Sequence, residues 1–502
     1  MSKPVTQGSL FRSRIAKEFD KKTAEFHTSV NDDQRIFEDD LNCTTAHDIM
    51  LHEQGIIPAK EIKLILTALD GIRQKWRSGE VTIGAEYEDV HEYIETTVIK
   101  QIGIEAGGMI HTGRSRNDQV VTDIKLRLRE DILNMSEATL NLVDALQKRA
   151  TEHADTPMML YTHGQHAQVG TMGAYLSSHA DILLRDQQRL TDLYTRINTN
   201  PLGAGPVGGT SININRKRTT ELLGFDSLHE NSIDATSSRD WAMETAAVCA
   251  ITMGDLSRLA ADILEWSTVE FGYIELADEY TSSSSIMPQK KNPSTIELLR
   301  GKTGESTGAL VELLTMEKGL TSGYVQDLQE TKLTLWRTVY NTQICLEIME
   351  GAVATMKIKP ERLAKVLQGN FAMAVELAET LANETLLSFR EAYKIAADLV
   401  NLIISRNSTL NKLTPKDVEE SAVKLYKKNI KVTQSLIDKA TDPKQSLQRR
   451  ISLGSPSPTE VKRMLKEHAA TAKKQRVDHD KKRTVIVTAL ENLHSTATKL
   501  SM

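Results

Sequence analysis

The amino-acid sequence predicts an all-α protein built on a bundle of very long helices. Three observations predict it. Proline and glycine are sparse, at 12 and 27 in 502 residues, while Leu, Ala, Glu and Lys are abundant, a composition that favours long uninterrupted helices. Apolar residues recur at intervals of three, four or seven over five spans in the middle of the chain, as on a buried helix stripe. Those spans reach ~30 residues, longer than a compact globular domain usually contains, so they imply bundled helices that pack against other copies of the chain.

The elements follow in chain order. Residues 1–112 are expected to form an N-terminal helical domain, with helices over Asp32–Gln54, Ala59–Ser78 and Tyr87–Ile102. Pro58-Ala-Lys-Glu61 has the form of a helix start, with proline in the first turn. Residues 113–360 are expected to form the central bundle. Its first stripe runs through Ile124, Leu128, Ile132, Met135, Leu142 and Leu146, and its second through Met172, Leu176, Ala180, Leu183, Leu190 and Tyr194. A third includes Leu256, Leu259, Ile263 and Trp266, a fourth covers roughly Ser294–Glu317, and a fifth Leu328–Ala354. Residues 361–502 are expected to form a C-terminal domain of shorter helices, punctuated by Asn407-Ser-Thr, Thr441-Asp-Pro443 and Gly454-Ser-Pro-Ser-Pro458. Its tail from Thr459 is basic, and such a run reads as one solvated helix face.

Composition narrows the function classes. A net charge of −5 argues against a general nucleic-acid binder, so any anionic ligand must be held by local positive charge. Cys43, Cys249 and Cys345 lie far apart and suggest no disulfide framework, which points to a reducing compartment. The N-terminal residues carry no apolar signal region, and no run of ~18 apolar residues occurs. The cytoplasm and no membrane association are therefore the expectation.

Three polar stretches carry chemistry. The first is Gly107-Gly-Met-Ile-His-Thr-Gly-Arg-Ser-Arg-Asn-Asp118, before a helix expected to begin near Gln119. Unpaired backbone N–H groups at a helix start attract anions, although a plain capped start with surface arginines is the alternative, and for Asp118 the better one. The second is Leu160-Tyr-Thr-His-Gly-Gln-His-Ala-Gln168, at the end of a long helical stretch. His163 and His166 lack a cysteine or nearby carboxylate to complete a metal set, and the density of polar groups favours an acid–base role. The third is Thr281-Ser-Ser-Ser-Ser-Ile-Met-Pro-Gln-Lys-Lys-Asn-Pro293. Four serines make poor helix interior, and the cationic elbow after them feeds a helix starting near Ser294. Serine is a weak base, able to take a proton only when neighbouring donors and charge activate its oxygen; Lys290 can supply positive charge where negative charge develops. The glycine-rich Pro201-Leu-Gly-Ala-Gly-Pro-Val-Gly-Gly209 lacks the spacing of a dinucleotide fingerprint and reads as a hinge or a tight helix crossing.

The third stretch resembles the signature loop of the fumarase/aspartase superfamily, Gly-Ser-Ser-x-Met-Pro-x-Lys-x-Asn-Pro, and the three stretches together match its three regions in order. Within it, His111-Thr-Gly-Arg-Ser-Arg-Asn-Asp-Gln-Val120 is similar to the argininosuccinate lyase branch. Glu88-Asp-Val-His91, Leu202-Gly-Ala-Gly205, Ser238-Arg-Asp240, Trp266-Ser-Thr-Val-Glu-Phe-Gly272 and Asp327-Leu-Gln-Glu330 extend the match, which runs from about residue 10 to about residue 460. The resemblance implies a three-domain fold whose long helices form a twenty-helix core in a homotetramer, with each active site shared by three chains. It implies reversible elimination of L-argininosuccinate to L-arginine and fumarate, with no metal and no organic cofactor.

The resemblance also implies residue roles. Ser284 removes the succinyl Cβ proton, Lys290 and Asn292 stabilise the resulting dianion, His163 assists the leaving guanidino nitrogen, and Glu297 orients His163. Ser115, Arg116, Asn117 and Thr162 bind carboxylate. Ser29, Asp33, Arg239, Tyr324, Gln329 and Lys332 meet the arginine portion. The chain departs from the family pattern at Ser283, where glycine is usual, and at His166, where arginine is usual. It also has Thr321-Ser-Gly-Tyr-Val-Gln326 where Pro-x-Ala-Tyr-Asn-Arg is common, and Gly454-Ser-Pro-Ser-Pro458 where Gly-Gly-Thr-Ala-Pro is common. The changes at Val325 and Gln326 border the leaving-group pocket. They keep open a related carbon–nitrogen lyase that releases fumarate from another N-substituted aspartate, such as a diamine disuccinate. A non-enzymatic crystallin-type protein predicts a lost catalytic residue, whereas Ser284, His163, Lys290 and Asn292 are all present.

Overall fold

A computed structural model describes residues 19–502; the N-terminal residues read above for a signal region lie outside the described part. The protein is all-α, as expected, and the strands among the described residues form four two-stranded ladders. Five long helices make the bundle: Arg116–Glu152, Met172–Ile197, Asp240–Trp266, Ser294–Glu317 and Thr331–Thr355. The stripe residues Ile124, Leu128, Ile132, Met135, Leu142 and Leu146 are all buried in one large core, together with Met172, Leu176, Ala180, Leu183, Leu190 and Tyr194 of the next helix.

Element starts differ from expectation where side chains cap them. The Arg116 helix begins three residues before Gln119 because Ser115 and Asp118 form a reciprocal capping box. The Val90–Ile102 helix begins after Asp89, whose carboxylate accepts from the Glu92 amide. The segment expected as one helix from Asp32 is divided into a short turn at Val30–Asp33, a 3-10 turn at Gln34–Ile36 and the helix Phe37–Glu53. The division falls at Asp33, whose carboxylate is engaged by Ser29 and Lys332.

The bundle has two poles. Lys332, at the start of the Thr331 helix, pairs with Asp33, and the neighbouring Ser29 amide donates to the Glu88 carbonyl (2.8 Å). Glu88 and Asp89 in turn hold Arg116, at the start of its own helix. At the opposite pole Arg149 donates to the Met356 carbonyl (2.7 Å), just past the end of the Thr331 helix. These two helices are therefore parallel. The Ser294 helix runs against them, since Lys302 donates to Asn341 (2.9 Å) while Glu312 faces Arg337 (3.3 Å).

The tail, expected as one solvated helix face in a block of shorter helices, is a long helix with a buried seam. Residues Pro458–Ser501 form one helix of 44 residues. Its buried side chains are Val461, Leu465, Ala472, His479, Ile486 and Leu493, a seven-residue repeat after the first turn. The repeat is hard to see in sequence because Ala472 and His479 occupy two of its positions amid lysines and arginines. The helix packs antiparallel to the Arg116 helix, with Arg476 on Asp144 (2.7 Å) and His479 at the Leu133 carbonyl (3.1 Å). A second, smaller core is formed by Leu377, Leu381, Ile395, Leu399, Ile403, Val418 and Ile437 of the short helices between 360 and 449. No helix of the described residues is long and apolar enough to cross a membrane.

Candidate active site

The first polar stretch sits at one pole, where it meets most of the residues expected to bind the arginine portion. Asp33 is buried; its Oδ2 accepts from Ser29 Oγ (2.6 Å), and its Oδ1 accepts from Lys332 Nζ. Gln329 donates through Nε2 to the His27 carbonyl (3.0 Å) and so lies beside the Ser29 segment. Arg239 is only 2% exposed. Its Nη1 donates to the carbonyls of Ser238 (2.9 Å) and Thr236 (3.3 Å), and no carboxylate forms an ion pair with it among the described residues. Burial lowers its pKa to about 10, opposed by Tyr324 and Glu317. Tyr324 shares this environment: burial raises its hydroxyl pKa, while Arg239 and then Arg116 oppose the rise. The guanidinium also lies over the Trp241 ring (5.7 Å to its centre). A buried guanidinium with only carbonyls and a ring for partners is suited to a carboxylate ligand.

Arg116 and Asn117 are already engaged. Arg116 Nη1 donates to Asp89 (2.7 Å) and faces Glu88 (3.2 Å); burial opposes its positive charge, but these two acids raise its pKa further. Asn117 Nδ2 donates to the Pro206 carbonyl (3.0 Å), and Ser115 Oγ accepts from the Asn117 amide (3.3 Å). Asp118 is the plain cap expected of it, and more. Its Oδ2 also accepts from the amides of Gly203 and Gly205 (both 2.8 Å). Those glycines have φ of +84° and +66°, which turns their N–H groups onto one carboxylate. The glycine-rich segment is thus a cradle that fixes the start of the Arg116 helix. Sequence reading gave Glu88 and Asp89 no role; an acidic pair in a matching motif was the available signal.

The second stretch is a β-hairpin, not a helix end. Pro157–Thr162 pairs with Gln165–Thr171, and the two-residue turn between them is His163-Gly164. Both turn residues have positive φ, +55° for His163 and +69° for Gly164, as a type I′ hairpin requires. A non-glycine residue in that conformation costs about 1 kcal/mol or more, and such strain clusters at functional sites. Thr162 and His163 are exposed at the tip. The base of the hairpin is anchored by Met159 and Val169 in the second core. A cleft of about 590 Å³ lies beside it, lined in part by Tyr161, Gln165, His166 and Arg362.

The third stretch closes on itself. Ser282 pairs with Asn292 and Ser283 with Lys291 in a short antiparallel ladder. Inside this loop Ser284 Oγ accepts from two backbone amides, Met287 N–H (3.0 Å) and Ile286 N–H (3.3 Å). Two donors on one hydroxyl oxygen stabilise negative charge there. The two lysines differ. Lys291 is bound to Asp278 (2.7 Å), whereas Lys290 makes no ion pair among the described residues. Glu297 is exposed on the first turn of the Ser294 helix.

These groups do not all meet within one chain. The Arg116 helix has 37 residues, so at 1.5 Å per residue its start lies ~55 Å from the hairpin that follows its end. The Ser294 helix, 24 residues long, separates the serine loop from Tyr324 by ~35 Å. Among the described residues no hydrogen bond or ion pair joins Glu297 to His163, or Ser284, Lys290 or Asn292 to Thr162 or Asn117. One pole carries Ser29, Asp33, Ser115, Arg116, Asn117, Arg239, Tyr324, Gln329 and Lys332; the other carries the hairpin and the serine loop.

Behind the first pole lies a buried network. Asp40, His91 and Asp123 are all buried, with possible metal-ligand atoms within 4.8 Å of one another. Burial lowers the His91 pKa, but Asp40, Asp89 and Asp123 together raise it to about 9. Asp40 is correspondingly held below the usual carboxylate range by His91 and Arg114, against burial. An imidazolium therefore fits the site. A raised pKa stabilises the fold below about 6.5, and that contribution is lost as pH rises through about 9. Denaturant titrations from pH 6 to 9.5 are expected to show a loss of roughly 2–3 kcal/mol that His91→Gln lacks. Parallel loss in both proteins would remove this assignment.

Comparison with known proteins adds to this geometry. A family model described as lyase matches residues 13–308, and one described as argininosuccinate lyase C-terminal matches residues 371–448. The chain is 42% identical over 484 residues to the argininosuccinate lyase of Nitrosopumilus maritimus, covering 96% of this chain and 98% of that one. It is 40% identical over 486 residues to the argininosuccinate lyase of Methanosarcina mazei, covering 97% and 98%. Among solved structures it is similar to an EDDS lyase in complex with formate, with a TM-score of 0.84 and 31% identity over 93% of this chain and 92% of that one. A class II fumarase from Schistosoma mansoni shares the fold, with a TM-score of 0.70 and 15% identity over 84% and 94% of the two chains.

Proposed function

The chain belongs to the argininosuccinate lyase family of carbon–nitrogen lyases, and on that premise we propose how its residues carry out the reversible elimination of L-argininosuccinate to L-arginine and fumarate. The observation that carries the reading is the Ser284 oxygen with two amide donors on it. A hydroxyl so placed is prepared to hold negative charge, and hence to accept a proton.

Ser284 Oγ takes the proton from the succinyl Cβ. The electrons left behind pass into the adjacent carboxylate, which becomes a dianion stabilised by Lys290 and Asn292. Collapse of the dianion forms the fumarate double bond and breaks the bond to nitrogen. His163, oriented by Glu297, delivers a proton to the leaving guanidino nitrogen. Ser115, Arg116, Asn117 and Thr162 hold the succinyl carboxylates. Ser29, Asp33, Arg239, Tyr324, Gln329 and Lys332 hold the amino-acid end. Every step is proton transfer and charge stabilisation by side chains, so no cofactor is assigned.

The two-pole arrangement supports a site built from several copies of the chain, and we assign a homotetramer with each site shared by three chains. The bundle's exposed apolar residues favour such packing: Leu298, Val311 and Leu314 on the Ser294 helix, and Leu333 and Tyr340 on the Thr331 helix. Three free, buried cysteines suit a reducing cytoplasm.

Fumarate release, followed by absorbance, tests the function. Purified protein is expected to turn over argininosuccinate well above other N-substituted aspartates. Val325, Gln326 and the likeness to an EDDS lyase favour one second reading, a lyase for a diamine disuccinate. Turnover of that substrate with none of argininosuccinate would establish it in place of the first.

A further inference from the structure

We propose that Gln326 is a specificity-determining residue, which sets the orientation of the Gln329 amide and thereby the grip on the amino-acid leaving group. The inference rests on the function proposed above. Residues Gln326–Glu330 form a 3-10 helix. In that geometry side chains three residues apart eclipse one another, so Gln326 and Gln329 share a face. Gln329 Nε2 donates to the His27 carbonyl (3.0 Å), a group that can only accept. This fixes which end of the Gln329 amide faces which way. Its Oε1 is left on the other side, where Gln326 Nε2 donates to it (2.7 Å).

The relay does two things. It holds a long, rotamer-rich side chain in one pose next to the Ser29–Asp33–Lys332 group. It also polarises Oε1, because an amide that donates at nitrogen and accepts at oxygen does each more strongly. An oxygen has two lone pairs, so Oε1 keeps one for a cationic N–H of the ligand. That matters here because Asp33 is already shared between Ser29 and Lys332, leaving neither oxygen unpartnered. Gln329 is thus an acceptor for the ammonium or guanidinium of the leaving amino acid, and Gln326 acts through it as a positioning residue. Arginine, the residue common at this point of the family pattern, could donate to the same oxygen. Glutamate could not, and would draw the Gln329 amide round to donate instead.

The test compares Gln326→Ala, Gln326→Glu and Gln326→Arg with the wild type, reading KM and kcat for argininosuccinate and product inhibition by L-arginine and by fumarate. The alanine and glutamate variants are expected to raise KM and the L-arginine inhibition constant about 3- to 10-fold, the range of one neutral hydrogen bond. kcat should stay within about two-fold, and the fumarate constant should not move. Gln326→Arg should remain near wild type. The inference is overturned if KM is unchanged in Gln326→Ala, if the arginine and alanine variants shift alike, or if the fumarate constant moves with that for L-arginine. A wild-type protein that releases no fumarate from argininosuccinate overturns the proposed function and this inference with it. An active wild type with an indifferent Gln326→Ala overturns the inference alone.

Discussion

Replacing Ser284 by alanine is expected to abolish fumarate formation, with kcat falling by roughly 10²–10⁴-fold or more. The oxygen that accepts the Ile286 and Met287 amides would be gone, and with it the group able to take the Cβ proton. Lys290 and the carboxylate-binding residues would remain, so KM should change little beside kcat. The substitution is conservative for folding, because Ser284 is only part-buried in a loop outside the bundle core. The assembled mass should therefore be unchanged in solution. Near-normal turnover in that variant would eliminate Ser284 as the base.

A second large effect is expected from mixing two dead proteins. His163→Asn and Ser284→Ala should each be inactive alone. Refolded together at equal amounts, they should regain roughly a quarter of wild-type activity if the two residues of a site come from different chains, because half the sites draw an intact histidine and half of those an intact serine. The hairpin and the serine loop share a pole, so the structure of one chain leaves this pairing to the assembly. Mixed assemblies that form and stay inactive would place both residues of a site on the same chain. Asparagine suits the test because it tolerates the left-handed backbone at position 163.

Much of this was legible in the sequence, and what was not has identifiable causes. The Ser294–Glu317 span was read to its ends, since proline precedes it and glycine soon follows. The stripes of the Arg116 and Met172 helices were read because large aliphatic residues recur along them at helical spacing, although Asp123, Lys125, Arg129 and Asp186 are buried beside them. The tail was read as one solvated helix face, and its buried seam was missed because that seam includes an alanine and a histidine among lysines and arginines. The hairpin was missed because its second strand, Gln165–Thr171, is mostly polar, and a lone His-Gly pair is a weaker turn signal than Asn-Gly. The residues of the site were named by resemblance, but their distribution over two poles follows from helix length, which spacing along the chain does not convey. The engagement of Arg116 by Glu88 and Asp89 depends on a tertiary contact between separate helices, and no local pattern encodes it.

The left-handed backbone at His163 has a consequence beyond the single molecule. Asparagine or glycine would sit in that turn with less strain, so drift toward thermal tolerance alone would erode the imidazole. Only continued demand for product keeps it in place. A lineage released from that demand should lose the histidine early, while its bundle goes on folding as before.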